Sequence, residues 1–395
     1  MVTSTGTTCL QSVLPAIGRE LHVADWLVAL SFSISALIWV FSATFWARRL
    51  RRRGARRMMI IGLAGYSLSL AGCGLSLLAG LSGWISGTAA FTAFILARSL
   101  YGLLGSATPP AAQAVVVAAS DVEERTTALA MLASAFGLGT VLGPAVAPFL
   151  IVPGAGLASP ALIFAGVGVA TMVIVWLGLD DIRHATHPAD AAGAGATDAE
   201  PYEEPAVPLA EPRTLPWMVV GVVSGHSQVI VGQTLAFLVI DRLALAPAQA
   251  QSSIGLVLMM GAGASLFAQW GLIPRLKPDP AALVRWGSLV AALGCLGVAM
   301  AHELTTMAFA FALATLGFGL IRPGYAAGAS LAVDEHEQEI VAGRVASVNG
   351  MMFVLGPALG ILLYSGWRPL PFLVAGIGML GLLWFGRRLE PAAAA

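Results

Sequence analysis

Long apolar stretches separated by short polar segments fill most of the sequence. Each stretch is about twenty residues long, and a helix of that length spans the roughly 30 Å hydrocarbon layer of a bilayer. The pattern predicts twelve membrane-spanning helices in two sets of six. The first set is 1–17, 26–47, 57–80, 87–117, 127–151 and 159–179. The second set is 216–240, 251–273, 283–301, 304–332, 341–365 and 369–387.

The polar segment 181–215 separates the two sets. It is rich in Ala, Pro and acidic residues and nearly free of large aliphatic side chains. Such a segment buries too little apolar surface to fold alone, so we expect a disordered linker. The predicted organisation is a six-helix half at 1–180, this linker, a second half at 216–388 and a short tail at 389–395.

The two halves share a sequence repeat. The residues VLGPA occur at 141–145 and again at 354–358, and the same shift places Pro110 on Pro323. Spans 4 and 5 therefore superpose on spans 10 and 11 in the same order and orientation. We predict an all-α membrane protein built from two parallel six-helix repeats, which is a known transporter architecture.

Composition and charge agree with a membrane protein. The chain is 57% hydrophobic and 11% charged, where a soluble protein carries roughly 25% charged residues. The basic residues lie mostly in the loops of one side, and only Arg19, Arg242 and Arg368 lie on the other. By the positive-inside rule, both termini and the linker are expected in the cytoplasm. The dominance of arginine favours a GC-rich bacterial source, hence the bacterial inner membrane. We expect no nucleic-acid partner, although the net charge of zero carries no information on this point.

Three short patterns of Gly, Pro and Arg stand out in the first half. They are Gly139-x-x-x-Gly143-Pro144 in span 5, Arg98 followed by Gly102 and Gly105 in span 4, and Arg51-Arg52-Arg53-Gly54-Ala55-Arg56 after span 2. These patterns resemble the major facilitator superfamily, and within it the twelve-span drug:proton antiporters. The third pattern departs from the family at Arg51, where the family has Asp, and at Ala55, where it has Arg.

The resemblance implies alternating access, in which two halves rock around a central cavity. It implies that a proton gradient drives efflux of a small amphipathic compound, with no cofactor and with the monomer as the working unit. The alternative is a proton-linked importer of a metabolite or organic anion. The span 5 pattern favours export, whereas an interior with cations and no acids favours the alternative. An enzyme is disfavoured because the sequence carries no reactive constellation, metal-ligand spacing or phosphate-binding loop.

The repeated Gly-Pro motif has a physical interpretation of its own. Gly139 and Gly143 form a face that lets another helix approach closely, and Pro144 removes a backbone donor and bends the helix. Gly356 and Pro357 occupy the matching positions of the second half. We predict an antiporter-type kink here, and the alternative is ordinary packing between membrane helices.

Three ionisable side chains lie well inside predicted spans, and such side chains are costly in a bilayer and often functional. Arg98 lies near mid-depth, where the resemblance implies proton coupling and a fixed cation can instead hold a substrate anion. Arg322 lies nearer the cytoplasmic end and alternatively extends to the interface. His226 titrates in the physiological range and shares a helix face with Gln233. Each has a purely structural alternative.

The first span carries a polar stripe that includes Thr8 and Gln11. We predict that this stripe lines the substrate or proton pathway, and the alternative is hydrogen bonding between helices. No Asp or Glu lies deep in any predicted span. Asp241 and Asp25, at the span ends, are therefore candidates for proton binding, and His226 is a further one.

Opposite charges face each other across the predicted cytoplasmic loops. A gate latched by ion pairs between the halves would use Arg51, Arg52, Gly54, Arg56, Asp334 and Glu335. The alternative is a set of solvated loops, in which each exposed pair contributes only about 0.2–1 kcal/mol.

Overall fold

A computed structural model describes residues 1–120, 125–179, 211–334 and 337–389. Within these residues the chain forms twelve long helices. The first six are α1 (Val2–Glu20), α2 (Asp25–Arg53), α3 (Ala55–Leu81), α4 (Gly87–Leu104), α5 (Arg125–Val146) and α6 (Ser159–Gly178). The others are α7 (Leu215–Leu243), α8 (Pro247–Leu266), α9 (Pro280–Met300), α10 (Leu304–Leu331), α11 (Gln338–Gly366) and α12 (Leu370–Phe385).

Two of these helices continue through an irregular turn. A 3₁₀ turn at Gly105–Ala107 joins α4 to Thr108–Ala118, so that the whole segment Gly87–Ala118 is one membrane-length unit. A π-helical turn at Phe267–Leu272 likewise joins α8 to Ile273–Leu276. Prolines just after the 3₁₀ turn have no N–H to donate, which explains why the regular α-helical bonding is interrupted there.

Ten of the twelve helices are long and apolar enough to cross a membrane. The two exceptions in the described residues are α1 and α5, although α5 contributes to a shorter apolar stretch, Ala135–Leu150. The predicted fold class, an all-α membrane protein, is confirmed.

Exposed tryptophans lie at both ends of the helix bundle. We call the end where α1 finishes the Arg19 end, and the end where α2 finishes the Arg53 end. At the Arg19 end the exposed tryptophans are Trp26, Trp84 and Trp367, and at the Arg53 end they are Trp176, Trp270, Trp286 and Trp384. Because tryptophan side chains favour the boundary between water and lipid, these two groups of tryptophans mark the two faces of a bilayer.

The arginine-rich segment after the second predicted span is helical. Helix α2 continues to Arg53, and only Gly54 separates it from α3. The sequence prediction ended this helix at residue 47 because a run of charges was interpreted as a loop, yet arginine is a good helix former. Gly54 has a φ of 78°, a left-handed conformation that glycine adopts without the usual steric cost.

The end of the predicted linker is also ordered. Residues 180–210 lie outside the described residues, but Glu211 and Thr214 are buried and α7 begins at Leu215. Arg213 forms ion pairs with Glu211 and Glu337, which fixes this turn against the start of α11. The last residues of 181–215 therefore belong to the second half.

The two halves meet along equivalent helix pairs. Helix α2 packs against α11, and α5 packs against α8, while α1 contacts both α7 and α8. At these crossings small residues allow a close approach. Val40 lies against Gly350, and the Pro144 carbonyl and the Pro148 ring lie against Gly255.

Candidate functional site

The Gly-Pro motif of α5 packs directly on α1. A Cβ atom added to Gly139 would lie 2.7 Å from the Met1 carbonyl oxygen, and one added to Gly143 would lie 2.5 Å from the Thr5 carbonyl oxygen. The Thr8 hydroxyl donates to the Gly139 carbonyl at 3.4 Å. Thr8 therefore forms part of this helix contact.

The second half repeats the contact with its own first helix. Gly356 lies against the Val229 side chain of α7, and Gly360 lies against the Ile230 carbonyl of the same helix. Pro144 lies inside α5 directly after Gly143, and Pro357 lies inside α11 directly after Gly356. The motif thus joins helix five to helix one within each half, and its role in antiport stays a prediction.

Five side chains at the Arg19 end form a hydrogen-bonded network that we call the end cluster: Arg19, Asp25, Asp241, Tyr364 and Arg368. The Arg19 guanidinium donates to Asp25 at 2.8 Å and to Asp241 at 3.2 Å. The Arg368 Nε atom forms an ion pair with Asp241 at 3.3 Å, and the Tyr364 hydroxyl donates to Asp241 at 2.8 Å. Asp241 thus accepts from Arg19 and Tyr364 and is paired with Arg368 as well.

The end cluster joins the two halves of the molecule. Arg19 and Asp25 belong to α1 and α2, whereas Asp241 and Tyr364 belong to α7 and α11. The Arg19 guanidinium also lies 5.8 Å from the centre of the Phe237 ring, again across the halves. The cluster lines a cavity of about 430 Å³, and the Asp241 side chain is 8% exposed.

The sequence pointed to Asp241 and Asp25 but not to the other members of the end cluster. Arg19 and Arg368 contributed only to the predicted orientation of the chain, and no sequence pattern indicated Tyr364. The residues of the cross-half pair are 222 positions apart, so no local pattern connects them. Their shared location at span ends on one side of the membrane was the available signal.

Arg98 is enclosed by aromatic side chains in the first half. Its side chain is 3% exposed, and its Nε and Nη1 atoms have no hydrogen-bond partner. The guanidinium carbon lies 4.9 Å from the centre of the Tyr101 ring and 5.7 Å from that of Phe32. The structural alternative, in which Arg98 bonds to helix carbonyls, is not the arrangement found.

The other predicted pathway residues are dispersed. The His226 Nδ1 atom lies 2.8 Å from the Val222 carbonyl of its own helix, and Gln233 is buried on α7. Gln11 is partly buried on α1, while Arg322 is exposed on α10. The structure does not bring these four side chains together with Arg98 in one cluster.

The predicted gate at the Arg53 end has a different arrangement. Arg56 donates to the Trp176 carbonyl within the first half, and the backbone N–H of Asp334 donates to Glu337 within the second. Gly54 forms the turn described above. The side chains of Arg51 and Arg52 and all of Glu335 lie outside the described residues. A latch between the halves at this end stays a prediction.

Near the Arg53 end, Arg213 forms an ion pair with Glu337. Its N–O distance is 3.0 Å. The hydrogen bond from Arg213 lowers the pKa of the Glu337 carboxyl below its ordinary value. The two residues follow the linker and begin α11, so the contact holds together one half only.

Comparisons with known proteins agree with this architecture. The sequence profile of the Major Facilitator Superfamily matches residues 1–293. The chain belongs to the major facilitator superfamily. Mouse solute carrier family 22 member 18 is 29% identical over 269 residues, which are 66% of this chain and 64% of that relative. The match thus spans slightly less than two thirds of the relative's length.

Solved structures of other members share the fold. An inward-facing, occupied bacterial homologue of the human lysosomal transporter Spinster has a TM-score of 0.72 at 11% identity, over 100% of this chain and 97% of that one. The human organic anion transporter MFSD10 gives 0.65 at 16% identity, over 98% and 96%. The inward-open xylose transporter XylE of E. coli gives 0.70 at 11% identity, over 100% and 96%.

Membership explains the arrangement of the two halves. This major facilitator protein is a multi-pass membrane protein with a secondary-transporter fold, and family and fold point to a transporter rather than an enzyme. The end cluster joins the halves at one end, so it is the candidate gate. Arg98 lies within the first half and is the candidate for substrate contact.

Proposed function

We propose that this protein exports small amphipathic organic compounds by alternating access, in exchange for protons. We place it in the bacterial inner membrane with both termini in the cytoplasm, because the basic loops cluster at the Arg53 end. In this arrangement the Arg19 end faces outward, and the monomer is the transporting unit.

The observation that carries the proposal is the ion pair between Arg19 and Asp241. It connects the halves at the outer end, so it must break before the outer end opens. Asp241 is also the acidic member of this pair, and a carboxylate loses its charge when it takes up a proton. A proton on Asp241 removes the attraction to Arg19, which links proton uptake to opening.

Charged and hydrogen-bonding groups from both halves surround Asp241. They are Arg19 from α1, Asp25 beyond Arg19, Tyr364 from α11 and Arg368 after α11. The Arg19 contact is the ion pair of Asp241 that crosses between the halves, so it is the one that proton uptake has to release.

Export as the direction rests on the Gly139–Pro144 motif, which resembles the antiporter pattern. The structural relatives do not select a substrate, because proteins described as transporters of xylose and of organic anions share the fold. Import would leave the same two halves and the same outer contact in place.

The test is proton movement in inverted membrane vesicles that contain the protein. The vesicles are energised, internal acidification is followed with a pH-sensitive dye, and organic cations, neutral compounds and organic anions are added in turn. We expect proton release on adding a substrate, absent in vesicles without the protein. The Asp241→Asn variant should lose this response.

Asp279→Asn is the matched control. The Asp279 side chain caps α9 by accepting from the Ala282 N–H, and Asn caps a helix equally well. This variant should keep the full proton response. Uptake of a compound together with protons would replace export with import, and a full response in Asp241→Asn would refute the coupling role of that residue.

A further inference from the structure

The guanidinium of Arg98 has unused hydrogen-bonding capacity in the interior of the first half. Two of its nitrogen atoms, Nε and Nη1, are buried without a partner. Among the described residues, no carboxylate lies within 4.0 Å of it, since the ion pairs found there all involve other residues. A buried charge without a counter-charge destabilises a protein considerably.

Aromatic rings compensate only part of this cost. The faces of Tyr101 and Phe32 attract the cation, and this attraction is stronger where water is excluded. The ring faces leave Nε and Nη1 without a hydrogen-bond acceptor, and the Tyr101 hydroxyl does not accept from either atom. The Ser35 hydroxyl, which is close in space, donates to the Arg98 carbonyl and leaves the guanidinium unpaired.

The aromatic surroundings extend from Arg98 to the boundary between the halves. The Tyr101 ring contacts Tyr66 of α3 and Trp39 of α2, with ring centres 5.7 and 5.2 Å apart. The next residue along α2, Val40, packs on Gly350 of the second half. Trp39 is thus the member of this aromatic group that stands next in the chain to a contact between the halves.

We propose that Arg98 binds the acidic group of the transported solute, and that Trp39, Tyr101 and Phe32 contact its apolar body. The substrate class is a small organic anion with one carboxylate or sulfonate and an aromatic or aliphatic body. The acid oxygens accept from the unpaired nitrogens, a charge-assisted contact of the strong kind. The inference relies on the proposed transport function for its physiological meaning, but anion binding is measured without transport.

A binding site and a structural arginine predict opposite effects on the ligand-free protein. If Arg98 is an anion-binding residue, the Arg98→Gln variant removes a buried charge that has no counter-ion in the ligand-free protein. The thermal midpoint of the variant is then equal to or above that of the wild type. If Arg98 holds the fold together, the same variant unfolds at a lower temperature. Arg242→Gln gives the reference for a structural arginine, because Arg242 donates to the carbonyls of Val298 and Ala299.

The experiment uses the full chain purified in detergent. Its thermal midpoint and its affinity are measured with 2-naphthoate and 2-naphthalenesulfonate, and with the matched neutral 2-naphthamide. We expect the two anions to bind and stabilise the wild type, and the amide to bind at least about tenfold more weakly. Arg98→Gln should lose about tenfold or more in anion affinity, whereas Arg242→Gln should keep the affinity and lose stability.

Trp39→Ala provides a second, independent variant should Arg98→Gln fail to fold. It leaves the cation in place and removes part of the apolar wall, so we expect weaker binding of naphthoate and a smaller change for acetate. Equal binding of the anions and the amide, no anion binding by the wild type, or unchanged affinity in either variant would each overturn the proposal. Anion binding without proton movement in vesicles would refute the proposed coupling and leave this site intact.

Discussion

The Arg19 guanidinium of α1 donates to the Asp241 carboxylate of α7 at 3.2 Å, and the two residues belong to different halves of the molecule. Asp25 lies on the other side of Arg19, at 2.8 Å and within the same half. Arg19 therefore donates both to Asp25, which moves with it, and to Asp241, which does not. The contact with Asp241 opposes separation of the halves, whereas the contact with Asp25 does not.

Removing the charge of Asp241 should open the outer end more often. We expect Asp241→Asn to raise the labelling rate of a cysteine at Gln233, which is buried on α7 two turns deeper, by roughly tenfold. A charge-assisted hydrogen bond of about 1.5–3 kcal/mol justifies this size. The measurement uses a membrane-impermeant thiol reagent applied to the Arg19 end, and Cys9, Cys73 and Cys295 are 0% exposed and stay unlabelled.

Asp25→Asn is the control for this measurement. It frees Arg19 from its partner in the same half, so the guanidinium is left with Asp241, and labelling should stay equal or fall. A rise in both variants would mean that the end cluster acts through its total charge and not through the contact between halves.

The packing of α5 on α1 predicts a difference between two glycines of one helix. Gly143→Ala should destabilise the protein by about 1–3 kcal/mol, because the new Cβ would lie 2.5 Å from a carbonyl that cannot move easily. Gly137→Ala should stabilise it by about 0.4–1 kcal/mol, since no atom lies within 4 Å of that Cβ and the unfolded chain becomes less flexible. Thermal unfolding in detergent compares the two, and equal midpoints would contradict the close contact.

The Pro144 position predicts an effect on rate. Replacing it by Ala restores a backbone N–H and straightens α5, whose Pro144 carbonyl lies on the α8 crossing at Gly255. We expect Pro144→Ala to transport several-fold more slowly or to lose coupling, with the amount of folded protein retained. Pro160→Ala, at the start of α6, should transport normally because no helix bond changes there. Unchanged coupled flux in Pro144→Ala would leave the residue with a packing role alone.

The Arg213 and Glu337 pair predicts a pH dependence at the Arg53 end. The folded pKa of Glu337 is below its ordinary value of 4.5, so its contribution to stability is present above that value and disappears as the pH falls through the folded pKa. The effect is small because both groups are exposed to water. The difference in thermal midpoint between the wild type and Glu337→Gln should be constant well above the ordinary pKa and should disappear as the pH falls through the lowered pKa of Glu337. A difference that grows towards acid would contradict this assignment.

The sequence predicted the helices because long apolar stretches are a local pattern, and it predicted their duplication because the residues VLGPA occur in both halves. The motif at Gly139–Pro144 and its copy could be interpreted without coordinates, since a Gly face permits close packing whatever its partner. The length of α2 was wrong, because a run of arginines marks the water boundary and yet stays helical. Arg98 could be singled out by its rarity, but the absence of an acceptor for its nitrogens depends on α2 and α3 and appears only in three dimensions.

The pairing inside the end cluster has a consequence for the work of opening. When Arg19 leaves Asp241, the first half keeps the pair Arg19–Asp25, and the second keeps Asp241–Arg368 with Tyr364. As long as Asp241 is ionised, each moving half carries its own counter-ion, so no net charges are drawn apart as the gap widens. Dissolved salt screens interactions between separated charges, and here it finds few to screen. The rate of the opening step should therefore depend little on ionic strength.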